Sequence, residues 1–220
     1  MFFGENYEPP AWEKAKKDGQ ISHKLLRVSR NYPDKVRLYN FWLQIQRLRK
    51  LGVQGDFAEL GVYKGESARL IHLMDGSRIF HLFDTFEGFT DTDLRPESGK
   101  AATYSSNNFA DTSINKVLKN IGGNPEMIKI HPGYFPSSTN GLQGNTFALV
   151  NMDADLYNPT KAGLEYFYPK LAPGGVIIIH DYNDKWEGLV KAVDEFSAEI
   201  PEQLVVLPDL DSTVMIIKNR

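Results

Sequence analysis

Residues Phe57-Ala58-Glu59-Leu60-Gly61-Val62-Tyr63-Lys64-Gly65-Glu66-Ser67 decide the fold. The run up to Leu60 reads as a strand, Gly61 to Gly65 as a tight turn, and Ala68 to Met74 as the body of a helix that starts near Gly65. Free N–H groups and the positive dipole end of that helix point at whatever sits above the strand tip, a place that suits a carboxylate or a phosphate. A dinucleotide fold places Gly-x-Gly-x-x-Gly here so that the backbone can approach a pyrophosphate, and this loop offers only Gly61 and Gly65. S-adenosylmethionine fits better: it has an amino-acid end and a ribose, and no phosphate for Glu59 to repel. The competing reading is a purely structural glycine turn.

Downstream, apolar strands alternate with amphipathic helices, the α/β signature. Strands are expected at Phe57–Gly61, Ile79–Asp84, Met127–His131, Phe147–Asp153, Val176–Asp181, Gln203–Leu207 and Thr213–Lys218, and helices at Glu66–Met74, Thr112–Ile121, Pro159–Leu171 and Trp186–Glu199. Phe147-Ala148-Leu149-Val150 and Val176-Ile177-Ile178-Ile179 are continuously apolar, as central strands covered on both faces require. The link Pro208-Asp209-Leu210-Asp211-Ser212 has no room for a crossover helix, so the last two strands form an antiparallel hairpin. The expected fold is a doubly wound, mostly parallel seven-stranded sheet with helices on both faces, the Rossmann-like layout of class I S-adenosylmethionine methyltransferases. Residues 1–55, with an amphipathic stretch Leu38–Leu51, form a helical extension expected to cover substrate or make a homo-oligomer contact, and 56–220 form the main domain. The polar stretch 90–111, with few large apolar groups and no periodicity, reads as a lid or as a plain surface excursion.

At 220 residues and 41% hydrophobic content, one core suffices. A net charge of -3 argues against a nucleic-acid partner, and the cluster Arg47, Arg49, Lys50 reads as a solvated helix face. There is no cysteine, which excludes disulfides, thiolate zinc sites and a cysteine nucleophile. Met1 to Pro10 carries acids and prolines where a signal peptide needs a basic start and an apolar run, and no stretch reaches membrane-spanning length, so a cytoplasmic protein without a membrane partner is expected.

Ligands of open α/β sheets bind at the carboxyl ends of the strands. The residues there are acidic: Glu59, Asp84, Asp153, Asp155, and the pair His180-Asp181. Asp84, at the tip of the second strand, is placed to accept hydrogen bonds from both ribose hydroxyls, or else caps the following turn. With it, Glu59, Gly61, Tyr63, Gly65, Ser67 and Asp153 make up the candidate cofactor-binding set. Asp153, Asp155, His180 and Asp181 converge from neighbouring strands, and clustered carboxylates call for a cation. Magnesium is the simplest choice, because it prefers oxygen ligands and keeps waters that a substrate hydroxyl can displace. Asp155 is then the general base, with a helix-start cap as the alternative. His23, His72, His81 and His131 lack partners at ligand spacing and read as structural. Neither a Gly-x-Ser-x-Gly elbow nor a Walker loop occurs.

Over residues 38–220 the chain resembles the macrocin O-methyltransferase family of the TylF/MycF type. The resemblance rests on Gly55-Asp56-Phe57-Ala58-Glu59-Leu60-Gly61-Val62-Tyr63-Lys64-Gly65, Phe83-Asp84-Thr85-Phe86-Glu87-Gly88-Phe89 and His131-Pro132-Gly133-Tyr134-Phe135-Pro136. It continues with Asp153-Ala154-Asp155-Leu156-Tyr157, Tyr168-Pro169-Lys170-Leu171-Ala172-Pro173-Gly174-Gly175 and Asp181-Tyr182. It implies methylation of a sugar hydroxyl with S-adenosylmethionine and magnesium, with Asp153 and Asp181 as metal ligands and Asp155 as base. The family usually has two adjacent aspartates where this chain has His180-Asp181. Either His180 binds the metal and shifts its preference toward manganese or another transition ion, or Asp181 and waters complete the shell. The alternatives are a catechol-type O-methyltransferase and a cofactor-binding protein without transfer activity. Tyr63, Tyr134, Tyr182 and Trp186 could stack on either acceptor ring.

Overall fold

Strands β1 (Asp56–Leu60), β2 (Phe80–Asp84), β3 (Ile128–Pro132), β4 (Phe147–Met152), β5 (Leu171–Ile179), β6 (Val205–Val206) and β7 (Val214–Ile217) form one sheet in the computed structural model, which describes residues 7–219. Their order is β3-β2-β1-β4-β5-β7-β6. The first five are parallel, and β7 runs antiparallel to β5 and β6, so the expected terminal hairpin is present. Strand order reverses between β1 and β4, which opens a crevice at the carboxyl ends of these strands. All of β4 is buried, as its unbroken apolar run demands.

Helices α1 (Pro10–Lys17), α2 (His23–Asn31), α3 (Lys35–Leu51), α4 (Glu66–Met74) and α6 (Ile114–Ile121) pack on one face. On the other lie α7 (Tyr157–Phe167) and α8 (Glu187–Ser197), each side with its own apolar core. Side-chain caps set several starts. Asp34 Oδ1 accepts from the Arg37 N–H at 2.9 Å and opens α3, and Ser113 opens α6 two residues later than the pattern suggested. The expected Pro159–Leu171 helix instead spans Tyr157–Phe167, because Pro169 falls in a 3₁₀ turn that leads into β5. β5 begins at Leu171, ahead of the expected start at Val176, because a bulge carries it through Pro173-Gly174-Gly175.

Two sequence readings change. The Leu38–Leu51 stretch is not simply amphipathic: Arg37 to Trp42 are all buried, since Trp12 of α1 packs edge-on against Tyr39 and Trp42 at 5.4 Å each. The basic cluster is solvated at Arg49 and Lys50, as expected, but two of its arginines also make contacts that fix α3. Arg47 donates to the Gly174 carbonyl at 2.8 Å, and Arg49 to the Met74 carbonyl at 2.9 Å, tying α3 to the far ends of β5 and α4, while Lys50 stays exposed. Residues 90–111 contain the short helix α5 (Asp91–Leu94) and a 3₁₀ turn, held by rings. Tyr104 stacks on Trp186 at 5.3 Å, and Phe109 meets Phe89 at 5.1 Å. Residues 1–6 of the stretch read for a targeting signal lie outside the described residues. No helix among the described residues is long and apolar enough to cross a membrane.

Candidate active site

A cavity of about 600 Å³ opens at the crevice. Its floor is the β1–α4 loop. Gly61 has φ +83°, and a Cβ there would lie 2.0 Å from the Asp153 carbonyl oxygen, so only glycine lets β1 turn this closely against β4. Gly65, with φ 76°, opens α4. Asp84 holds the loop in shape: Oδ2 accepts from the Val62 and Tyr63 N–H groups at 2.7 and 2.8 Å, and Oδ1 from the Phe86 N–H at 2.7 Å. Asp84 thus does cap the following turn, and it also lines the cavity, with an acceptor direction left on Oδ1.

Glu59 is fully buried and does not reach the cavity wall. Its Oε1 accepts from the Ser67 hydroxyl at 2.8 Å, its Oε2 has no partner among the described residues, and burial pushes its carboxyl up to about 8 despite the Ser67 hydrogen bond. Ser67 does line the cavity. Tyr63, at φ 49°, lines it too, and its hydroxyl donates to Asp111 Oδ1 at 2.7 Å while Lys64 reaches Oδ2 at 2.6 Å. The end of the 90–111 segment is thereby tethered to the loop.

β4 and β5 are neighbours, so Asp153, which follows β4, meets His180 and Asp181, which follow β5. His180 Nδ1 lies 3.1 Å from Asp153 Oδ1 and 3.0 Å from Asp181 Oδ2. Asp153 Oδ2 accepts from Arg37 Nη2 at 3.0 Å. Burial opposes charge on Asp153, yet Arg37 and His180 hold its carboxyl well below the usual range. Against the pull of burial, Asp153 and the hydrogen bond to Asp181 raise His180 to about 10, with Arg37 opposing them. The Asp155 carboxyl is pushed well up by burial and by the charges of Asp153 and Asp181. Asp155 and Asp181 hold left-handed backbone, φ 61° and 65°, a strained arrangement for non-glycine residues that clusters at functional sites.

The donor atoms of Asp153, His180 and Asp181 lie within 4.8 Å of one another. Two carboxylates and an imidazole nitrogen make a donor set that suits a divalent ion, with the imidazole favouring a transition metal over magnesium. Such an ion would compete with the proton on His180 Nδ1 and with Arg37 for Asp153. The loop and its surroundings likewise suit a zwitterionic ligand end: Arg37 Nε is buried without a partner among the described residues, the Asp153 carboxyl lines the same cavity, and Gly61 leaves the wall free of side chain.

Of the aromatic candidates, Tyr63, Tyr134 and Trp186 line the cavity, whereas Tyr182 faces away and donates to Asp194 at 2.6 Å. Sequence reading missed Tyr32 and Arg37, which line the cavity from the N-terminal helices. It also missed that His81 and His131 partner each other, at 2.9 Å.

A family model described as Macrocin-O-methyltransferase (TylF) matches residues 17–213. The chain is 28% identical over 156 residues to the 8-demethyl-8-(2,3-dimethoxy-alpha-L-rhamnosyl)-tetracenomycin-C 4'-O-methyltransferase of Streptomyces olivaceus, covering 66% of this chain and 60% of that protein, so the match spans less than two thirds of that relative. It is 26% identical over 225 residues to the demethyldecarbamoylnovobiocin O-methyltransferase of Streptomyces niveus, covering 93% of this chain and 86% of that one. The solved O-methyltransferase NovP superposes with a TM-score of 0.72 at 28% identity, over 84% of this chain and 80% of its own. With the sheet order, the glycine loop and the acidic strand ends in place, this match over most of its length shows that the chain belongs to the macrocin-O-methyltransferase (TylF) family.

Proposed function

We propose that this O-methyltransferase moves the methyl group of S-adenosylmethionine to a hydroxyl of a sugar-like small molecule. The family supports the cofactor, and the Streptomyces olivaceus relative carries a rhamnosyl group in the name of its substrate. The observation that carries the reading is the convergence of Asp153, Asp155, His180 and Asp181 beside the glycine loop in one cavity. When bound, S-adenosylmethionine supplies an electrophilic methyl on a sulfonium, and a divalent ion, Mg2+ or Mn2+, makes the acceptor hydroxyl more acidic. Asp153, His180 and Asp181 would hold that ion. Asp155, which lines the cavity, would take the proton of the acceptor hydroxyl. Gly61, Tyr63 and Ser67 line the cofactor cradle, Gly65 turns the chain into α4 against α6, Glu59 positions Ser67, and Asp84 sets the loop and offers an acceptor to the ribose. The N-terminal helices cover the site through Tyr32 and Arg37, residues 90–111 act as a lid, and the absence of cysteine suits a cytoplasmic protein.

The test is transfer of labelled methyl to a panel of glycosides, nucleotide sugars and catechols. Methylation of catechols alone would overturn the sugar reading. On the acceptor found, Asp155→Asn is expected to keep S-adenosylhomocysteine binding and lose methyl transfer by roughly 10²- to 10⁴-fold. Undiminished turnover would remove Asp155 from its role. Chelation of divalent ions is expected to suppress turnover in the wild type, with Mg2+ or Mn2+ restoring it; full activity after chelation would exclude the metal from the reaction.

A further inference from the structure

Every acid at the β1–β4 side of the cavity raises the question of how an anionic ligand group could be received there. Asp153, Asp155 and Asp181 face this end, with Glu59 behind Ser67. Yet the methyl donor of the reading above carries a carboxylate on its amino-acid end. Asp84 lies at the β2 tip and Asp155 beyond β4. A cofactor with its ribose at the first and its methyl facing the second leaves its amino-acid end at the seam of β1 and β4, where Arg37 from the start of α3 meets Asp153.

The cations lining the cavity are few. Lys64 is engaged by Asp111 at 2.6 Å, Lys185 by Asp211 at 3.6 Å, and His180 by two carboxylates. Lys100 lies over the Trp186 ring, at 6.0 Å, in the 90–111 segment. Arg37 is different. It lines the cavity with its side chain 6% exposed, its Nη2 donates to Asp153, and its Nε is buried with no acceptor among the described residues. A buried guanidinium with donors to spare costs stability unless a ligand completes it. Its plane is set by the Phe41 ring, 5.3 Å below, and by the Asp34 cap that fixes the first turn of α3. Such a rigid fork matches a carboxylate in a way a lysine does not.

We propose that Arg37 binds the carboxylate of the methionine part of S-adenosylmethionine, so that a residue from the N-terminal helices completes the cofactor site. This rests on the S-adenosylmethionine reading of the glycine loop. Arg37 then bridges Asp153 and the ligand carboxylate, and holds the amino-acid end against Gly61 and Ser67.

Calorimetry with two nucleosides tests it: S-adenosylhomocysteine, which keeps the amino-acid end, and 5′-methylthioadenosine, which lacks it. Arg37→Met is expected to weaken the first by roughly 10- to 100-fold and to leave the second unchanged; Arg37→Lys should lose part of that difference. Equal losses for both ligands, or no loss for either, would overturn the assignment. Should the variants fail to fold, the wild type compared on S-adenosylhomocysteine and its decarboxylated analogue reads the same contact, and equal affinities would refute it. A wild type that binds neither nucleoside would bring down the cofactor reading and this assignment with it. Binding of both nucleosides by the wild type with no discrimination by the variants would bring down this assignment alone.

Discussion

His81 and His131 show how much a single hydrogen bond between two titratable rings can decide. They sit on adjacent strands, His81 Nδ1 2.9 Å from His131 Nε2, with His81 Nε2 3.1 Å from Asp56 Oδ2 and His131 stacked on Phe83 at 4.6 Å. One ring donates and the other accepts, so the pair is best satisfied when at least one is neutral. Burial and the neighbouring ring push His131 down to about 4, and burial, offset in part by Asp56, lowers His81 as well. A histidine whose folded pKa lies below its unfolded value takes up protons more readily when unfolded. The stability tied to it is complete above the unfolded value near 6.5 and is lost as pH falls through about 4. Between those limits His131 is expected to account for about 2 kcal/mol after allowance for its partial exposure. Urea denaturation from pH 4 to 7 on the wild type and on His131→Asn checks this, since the variant should show the flatter curve; superimposable profiles would rule it out. At this scale the candidate site was legible wherever it lay at a strand tip. Asp84, Asp153, Asp155, His180 and Asp181 could be counted from the ends of apolar runs. Arg37 could not: it meets Asp153 across 116 residues of sequence, and that meeting depends on how α3 packs, which no local pattern encodes.

The elements divide in the same way between what propensity writes and what packing imposes. α4 appears with the bounds read from sequence, because an apolar face follows directly on Gly65. Strand β6 shrinks to the exposed pair Val205–Val206, since an edge strand with no partner beyond it gains little from extension. β5 grows in the other direction, because pairing with β4 is worth more than the local preference of Pro173-Gly174-Gly175 for a break. The 90–111 segment was legible as a long excursion but not as an anchored one. Phe89, Tyr104 and Phe109 are too widely spaced to form a periodic pattern, and they find each other and Trp186 only in the fold. That ring contact and the Tyr63–Asp111 hydrogen bond attach the second half of the segment to elements that build the cavity. The segment is thereby joined to the β1–α4 loop on one side and to the start of α8 on the other.

At the scale of the molecule, the division at residue 55 marks a change of sequence pattern, while the packing runs straight through it. Trp12, Ile21, Leu25, Leu38, Phe41, Ile45 and Leu48 share one core with Phe57, Ile71 and Val176. Asp34 Oδ2 also accepts from the Leu210 N–H at 3.0 Å, joining the start of α3 to the C-terminal hairpin turn. Removal of the first 55 residues would expose the apolar side of α4 and the sheet face beneath α3, at about 25 cal/mol for each Å² left in water, and would take Tyr32 and Arg37 from the cavity. The full chain is therefore expected to melt in a single calorimetric transition. S-adenosylhomocysteine at about 100 times its dissociation constant should stabilise that transition as a whole by about 2.7 kcal/mol. A chain begun at Asp56 should show no cooperative transition and no response to the nucleoside. Two transitions in the full chain, only one of them moved by the ligand, would mean that the helices fold apart from the sheet; a cooperative, ligand-responsive melt of the shortened chain would mean that the N-terminal helices are dispensable for both core and cofactor site.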